Sequence, residues 1–138
     1  MNLTTMSKRI HLANVEKGFY DDIENIPQDY LIIKQLALVL TEIAEAIEVL
    51  RKNGIDNTLE PHFPSALTLD ESITEYKKTY KDTFQAEIAD TFIRLFDLCG
   101  YLDIDIDSWV DTVLEANKYR PYKHGKKYWR RYQYGKTR

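Results

Sequence analysis

Cysteine is nearly absent: Cys99 is the single one in 138 residues. That excludes an internal disulfide and fits a reducing, cytoplasmic setting. Long apolar runs are missing as well, the longest being Leu36–Leu40, far short of the roughly 20 residues that cross a bilayer. Lys8 and Arg9 are not followed by an apolar stretch, so neither a signal peptide nor a membrane partner is expected. Strand-like alternation, internal repeats and low-complexity tracts do not occur. The length suits one domain with a core and is too short for two comfortable ones.

A further absence divides the chain. From Lys118 to Arg138 there are nine Lys or Arg and no Asp or Glu, whereas residues 1–117 carry ten basic against 22 acidic side chains, a formal charge of −12. An acidic body with a basic tail implies two different tasks.

What is present is helical periodicity. Ile10, Ala13, Val15 and Phe19 predict a helix over about Thr4 to Phe19. A second runs from about Pro27 to Gly54, where "RKNG" supplies late cations and a glycine stop. A third covers about Thr79 to Gly100, with Phe84, Ile88, Phe92, Leu95 and Cys99 on one stripe. The last starts near Asp107 or Ser108 and stops before Pro121. The segment "IDNTLEPHFPSALTLDES" reads as a loop, followed by a short helix over Asp70 to Lys78. The expectation is an all-α bundle of four to five helices over residues 1–120, followed by a basic, aromatic tail over 121–138. The second helix is apolar around most of its circumference and needs more cover than one small bundle provides, which favours a homo-oligomer, a dimer or tetramer.

Two carboxylate pairs interrupt this packing pattern. In "LTEIAEAIEVL", Glu42 and Glu45 neighbour Leu38, Ala46 and Val49 around the helix; in "FQAEIADTFIRLFDL", Glu87 and Asp90 neighbour Phe84 and Leu98. Residues three apart on a helix have Cβ atoms about 5–6 Å apart, so each pair forms a two-oxygen claw. Two claws on adjacent helices can converge on one point. Four carboxylates in a partly dry site repel one another, and a hard divalent cation relieves that repulsion. No Cys or His stands near either pair, and His11, His62 and His124 never occupy the Glu-x-x-His spacing of a di-iron bundle. Mg²⁺ is therefore the expected ion, with Mn²⁺ as a substitute. A single such pair is equally a solvated helix face, as Glu48 three residues beyond Glu45 illustrates.

With both pairs and their flanks in view, the chain resembles the MazG-like all-α nucleoside triphosphate pyrophosphohydrolases. The family's E-x-x-E and E-x-x-D motifs match "EIAE" (Glu42 to Glu45) and "EIAD" (Glu87 to Asp90). "IHLANVEKGFYDD" resembles the family's first helix, and "EANKYRPYKHGKKY" the last helix and tail of a phage and bacterial branch. Forty-one residues separate Glu45 from Glu87, more than the family's usual connection, which leaves substrate specificity open.

The resemblance implies that Glu42, Glu45, Glu87 and Asp90 hold Mg²⁺ and that water attacks the α-phosphorus of a nucleoside triphosphate. The products are then a monophosphate and pyrophosphate. Phosphoryl transfer depends on charge neutralisation and an oriented water, and either Glu42 or Glu45 can activate that water. His11, Asn14 and Lys17 would reach base or sugar; a satisfied structural His and a solvated Lys are the competing readings. Asn117 would contact the nucleotide, and Lys118, Arg120 and Lys126 its phosphates, Arg by paired hydrogen bonds and Lys as a point charge.

The ending "YGKTR" is not a phosphate-binding loop, because the required earlier glycine is Arg130. "YWRRYQYGK" interleaves aromatics with cations, as single-stranded nucleic-acid binders do. A segment docking on a partner subunit has the same composition and is the preferred reading. The competing function is therefore a non-catalytic helical oligomer that grips nucleic acid with its tail.

Overall fold

The computed structural model describes residues 2–63 and 67–121. Among these residues there are five helices and no strand: α1 (Leu3–Glu16), α2 (Gln28–Asn53), α3 (Leu69–Thr79), α4 (Phe84–Tyr101) and α5 (Ile106–Lys118). None of them is long and apolar enough to cross a membrane. The chain divides into two compact units, Met1–Ile104 and Asp105–Arg138, and α5 is the helix described in the second.

Local chemistry sets where each helix starts. The Asn2 side chain accepts from the Thr5 N–H at the head of α1, and Thr68 and Glu71 form a reciprocal capping box at the head of α3. The Thr83 hydroxyl accepts from the Ala86 N–H and opens α4. This cap, together with Asp82 at φ 65°, explains why α4 begins at Phe84 and not at Thr79: the backbone turns through the left-handed region just before it. α1 stops at Glu16, short of Phe19, because Gly18 sits at φ 80° and the chain folds back there, the Gly18 N–H donating to the Val15 carbonyl and the Phe19 N–H to the Asn14 carbonyl. Asp105 caps α5, two residues earlier than Asp107, its carboxylate accepting from both the N–H and the hydroxyl of Ser108.

In the first unit α4 is the central helix and packs on both α1 and α2. It approaches α1 closely because residue 100 is glycine: a Cβ there would stand 2.5 Å from the Ser7 carbonyl oxygen and 2.6 Å from the His11 Cβ. Ser7 is fully buried at this crossing, its hydroxyl donating to the Thr4 carbonyl.

The closed apolar core is small: Leu31, Val39, Ala46, Leu98 and Cys99. The expected stripe on α4 does not fill it. Cys99 is buried, but Phe92 and Leu95 are exposed, because α4 turns Glu87, Asp97 and Leu98 inward instead. α2 shows the same imbalance, with Leu31, Val39, Glu42 and Ala46 inward and six large aliphatic residues exposed.

Gly100→Ala tests the crossing of α1 with α4. The added methyl has backbone on one side and a Cβ on the other, so the helices must separate, at a cost of about 2–3 kcal/mol. Urea unfolding is expected to show that loss with an unchanged slope. A shift below about 0.5 kcal/mol contradicts the close crossing.

Candidate functional site

The turn of α2 carrying Glu42 and the first two turns of α4 face each other inside the first unit. Carboxylate oxygens of Glu42, Glu87 and Asp90 lie within 4.8 Å of one another. Glu42 is 7% exposed and Glu87 5%, while Asp90 is half-buried. Glu45 is exposed and falls outside this 4.8 Å group, yet its charge acts on Glu87 ahead of those of Glu42 and Asp90.

The three do not share the same electrostatics. Burial, then the charges of Glu45, Glu42, Asp90 and Asp82, push the Glu87 carboxyl above its ordinary range. Asp90 is pushed up by burial and by Glu42, and pulled partly back by Arg94. Glu42 has a direct counter-ion: Arg94 Nε donates to its Oε1 at 2.5 Å. Arg94 follows Asp90 by four residues, so one face of α4 presents two carboxylates and then a cation. The net arrangement is an oxygen-only trio whose negative charge is only partly compensated from within the chain. Among the described residues, no other group of acidic, His or Cys side chains converges this closely. Oxygen donors, short mutual separation and unrelieved repulsion fit a hard divalent cation.

Two recesses follow one another along α4 on either side of Asp90. One, of about 280 Å³, is the more polar of the two; Asn14, Lys34, Gln35, Asp90, Arg94 and Asp97 share its walls with Phe19, Leu38 and Ile93. The other, of about 390 Å³, is apolar and aromatic, with Phe63, Tyr76, Tyr80, Ala86 and Ala89 among its walls. Segment 55–63 is held over the second recess by two hydrogen bonds to its carbonyls. Gln85 donates to Asp56 at 2.5 Å and Tyr80 to Glu60 at 3.2 Å. Tyr76 lies close enough to the acids that burial, Asp90 and Glu87 together raise its hydroxyl pKa.

The residues expected to touch substrate are distributed unevenly. Asn14 lines the polar recess beside Asp90. His11 does not; its Nδ1 is 2.9 Å from Asp97 Oδ1, and its ring packs edge-on to Tyr20 at 4.6 Å and Tyr101 at 5.9 Å. Burial and the Asp97 charge push the Tyr20 hydroxyl well above its ordinary pKa, so the cluster is a packed polar knot. Lys17 is exposed just past the end of α1 and is not among the walls of that recess.

Asn117, Lys118 and Arg120 are exposed in the second unit, Lys118 paired with Glu115. Lys126 lies outside the described residues, as does the tail beyond residue 121.

Sequence reasoning missed Arg94 and Lys34. Arg94 was open to inference as an i,i+4 neighbour of Asp90. Lys34, a lone cation in the largely apolar "YLIIKQLALVL", also had a local signal. No protein-family model, curated protein or solved structure matches this chain.

The raised carboxyl groups set a pH dependence with a definite sign. Glu87 and Asp90 hold protons more tightly in the folded chain than in the unfolded one. Between the ordinary carboxylate range and the raised values the folded state binds more protons, so stability falls as pH rises through that window. The metal-free chain is therefore expected to melt higher at about pH 5.5 than at about pH 7.5. At the higher pH, Mg²⁺ should raise the midpoint by several degrees, and Asp90→Asn should flatten the pH profile. Thermal melts in chelator and in Mg²⁺ measure all three; a metal-free midpoint that rises with pH contradicts the assignment.

Proposed function

We propose that this chain is a Mg²⁺-dependent nucleoside triphosphate pyrophosphohydrolase, releasing a nucleoside monophosphate and pyrophosphate. The observation that carries the reading is the convergence of Glu42, Glu87 and Asp90 with their charge incompletely neutralised. The resemblance of "EIAE" and "EIAD", with their flanks, to the MazG-like enzymes supports it independently of the geometry.

In this reading Glu42, Glu87 and Asp90 hold the ion. When bound, the ion would supply charge neutralisation at the phosphates. Glu45 is the general base: its carboxylate lies outside the trio and is exposed, so it is available to orient a water and take its proton. The water oxygen bonds to the α-phosphorus as the bond to the bridging α–β oxygen breaks, and the electron pair leaves with pyrophosphate. Lys34 and Arg94 in the polar recess compensate charge on the phosphates, which the acidic body would otherwise repel. Asn14 and Phe19 in the same recess offer an amide and an aromatic face to the nucleoside.

Product analysis on a panel of nucleoside triphosphates tests this directly. Monophosphate and pyrophosphate should appear in equal amounts, and only with a divalent ion. Initial release of diphosphate and orthophosphate, or full activity in excess chelator, contradicts it. Two substitutions separate the roles. Glu45→Gln should lower kcat by about 10²–10³-fold while Mn²⁺ affinity holds. Asp90→Asn should weaken both, with turnover down by at least roughly 100-fold, or about 2.7 kcal/mol of transition-state stabilisation.

A further inference from the structure

The apolar recess beside Asp90 has no part in the reaction derived above. A nucleoside triphosphate whose nucleoside meets Asn14 and Phe19 ends, at its other end, in a charged phosphate. An apolar recess rejects such a group, because nothing there replaces the water it loses. Yet the recess adjoins the acids. Ala86 and Ala89 in its lining neighbour Glu87 and Asp90 in the chain, and Tyr76 is near enough for both acids to act on its hydroxyl. At about 390 Å³ it falls within the roughly 300–1,000 Å³ of sites that enclose small molecules.

The walls select the kind of group it takes. Tyr76 and Tyr80 lie side by side, with ring centroids 6.2 Å apart and planes 30° from parallel, and His62 and Phe63 add two more rings. Aromatic faces favour a flat ring. The polar groups between them are largely spent within the chain. The Tyr80 hydroxyl donates to the Glu60 carbonyl, the Thr83 hydroxyl to the Tyr80 carbonyl and the Gln85 amide to the Asp56 carbonyl. A ring bound here is therefore held by its faces, with little reading of its edge, and such stacking tolerates any base.

We infer that this recess receives a second nucleoside, carried on the far end of the phosphate chain, so that dinucleoside polyphosphates are substrates of the same site. The inference rests on the pyrophosphohydrolase reading and extends its leaving group. With a dinucleoside triphosphate, the water oxygen bonds to the α-phosphorus and its proton passes to Glu45. The bond to the α–β bridging oxygen breaks, and the electron pair leaves on a nucleoside diphosphate instead of pyrophosphate. Esterifying the last phosphate also removes one negative charge from a ligand that the acidic body, residues 1–117, otherwise repels.

The symmetric dinucleoside triphosphates of adenosine, guanosine, cytidine and uridine, each beside its own nucleoside triphosphate, test this on the full chain with Mg²⁺. The members of each pair differ by one nucleoside on the γ-phosphate. At least one dinucleoside should give monophosphate and diphosphate in equal amounts, with kcat/KM roughly tenfold or more above its triphosphate, as stacking of one base provides. Phe63→Ala, at an exposed position, should bring that ratio close to one, and Tyr80→Ala should repeat the effect. Each ratio is taken within one variant, so a loss of folded protein cancels. A wild-type ratio of one or less overturns the inference, while pyrophosphate release from the triphosphates leaves the underlying reading standing; hydrolysis of no compound removes both. An equal loss for both members of a pair in Phe63→Ala means that the recess holds the nucleotide's own base, and overturns the inference as well. So does a γ-hexyl ester of the triphosphate cleaved as fast as the dinucleoside, which would make the recess an alkyl site.

Discussion

Carboxylates facing one another across the seam of α2 and α4 are the constraint on which the rest of the first unit turns. Burying Glu42 and Glu87 beside Asp90 raises the energy of the charged chain unless something opposite in sign is supplied. Arg94 supplies part of it, at Glu42. α4 holds this arrangement because it is gripped from two sides. Gly100 lets α1 close onto its C-terminal end, and Val39 and Ala46 sit on the buried side of α2, which packs against it. With both contacts made, α4 has little freedom to rotate its acids out to water.

That rotation also explains the modest core. A helix that turns Glu87 and Asp97 inward turns Phe92 outward, and the apolar residues that would have closed a conventional bundle are left on the surface. The unit gives up apolar burial along α4 to bring charged groups together. Such a trade is uncommon where a site does nothing, since buried ionisable groups seldom stabilise a fold on balance. α2 is divided in the same way, one side given to α4 and the acids, the other leaving an aliphatic stripe exposed.

Much of this was legible in the residues. Three-residue spacing put Glu42 with Glu45 and Glu87 with Asp90 on common faces, and the glycine after "RKN" ended α2 where the structure ends it. Periodicity is blind, however, to which way a helix is turned. It gave Phe84, Ile88, Phe92, Leu95 and Cys99 a shared face but not the direction of that face. It likewise could not separate buried Glu42 from exposed Glu45, because the difference lies in where α4 crosses α2. The Arg94–Glu42 pair joins residues 52 positions apart, and the segment 55–63 reaches Tyr80 and Gln85 through hydrogen bonds to its backbone carbonyls. Side-chain spacing carries no trace of either contact. His11 shows the limit from the other side: its position in the motif suggested substrate, while its Nδ1 is engaged by Asp97 and its ring packs edge-on to Tyr20 and Tyr101.

The central claim is that Glu42, Glu87 and Asp90 converge in order to hold a divalent cation. Crystals grown with Mn²⁺ and measured at a wavelength where manganese scatters anomalously test it most directly. The account predicts a strong anomalous peak within about 2.3 Å of oxygens from all three carboxylates. The peak should be lost in Asp90→Asn crystals grown under the same conditions. An empty trio in crystals whose mother liquor supports pyrophosphate release, or a peak bound elsewhere on the chain, would contradict it.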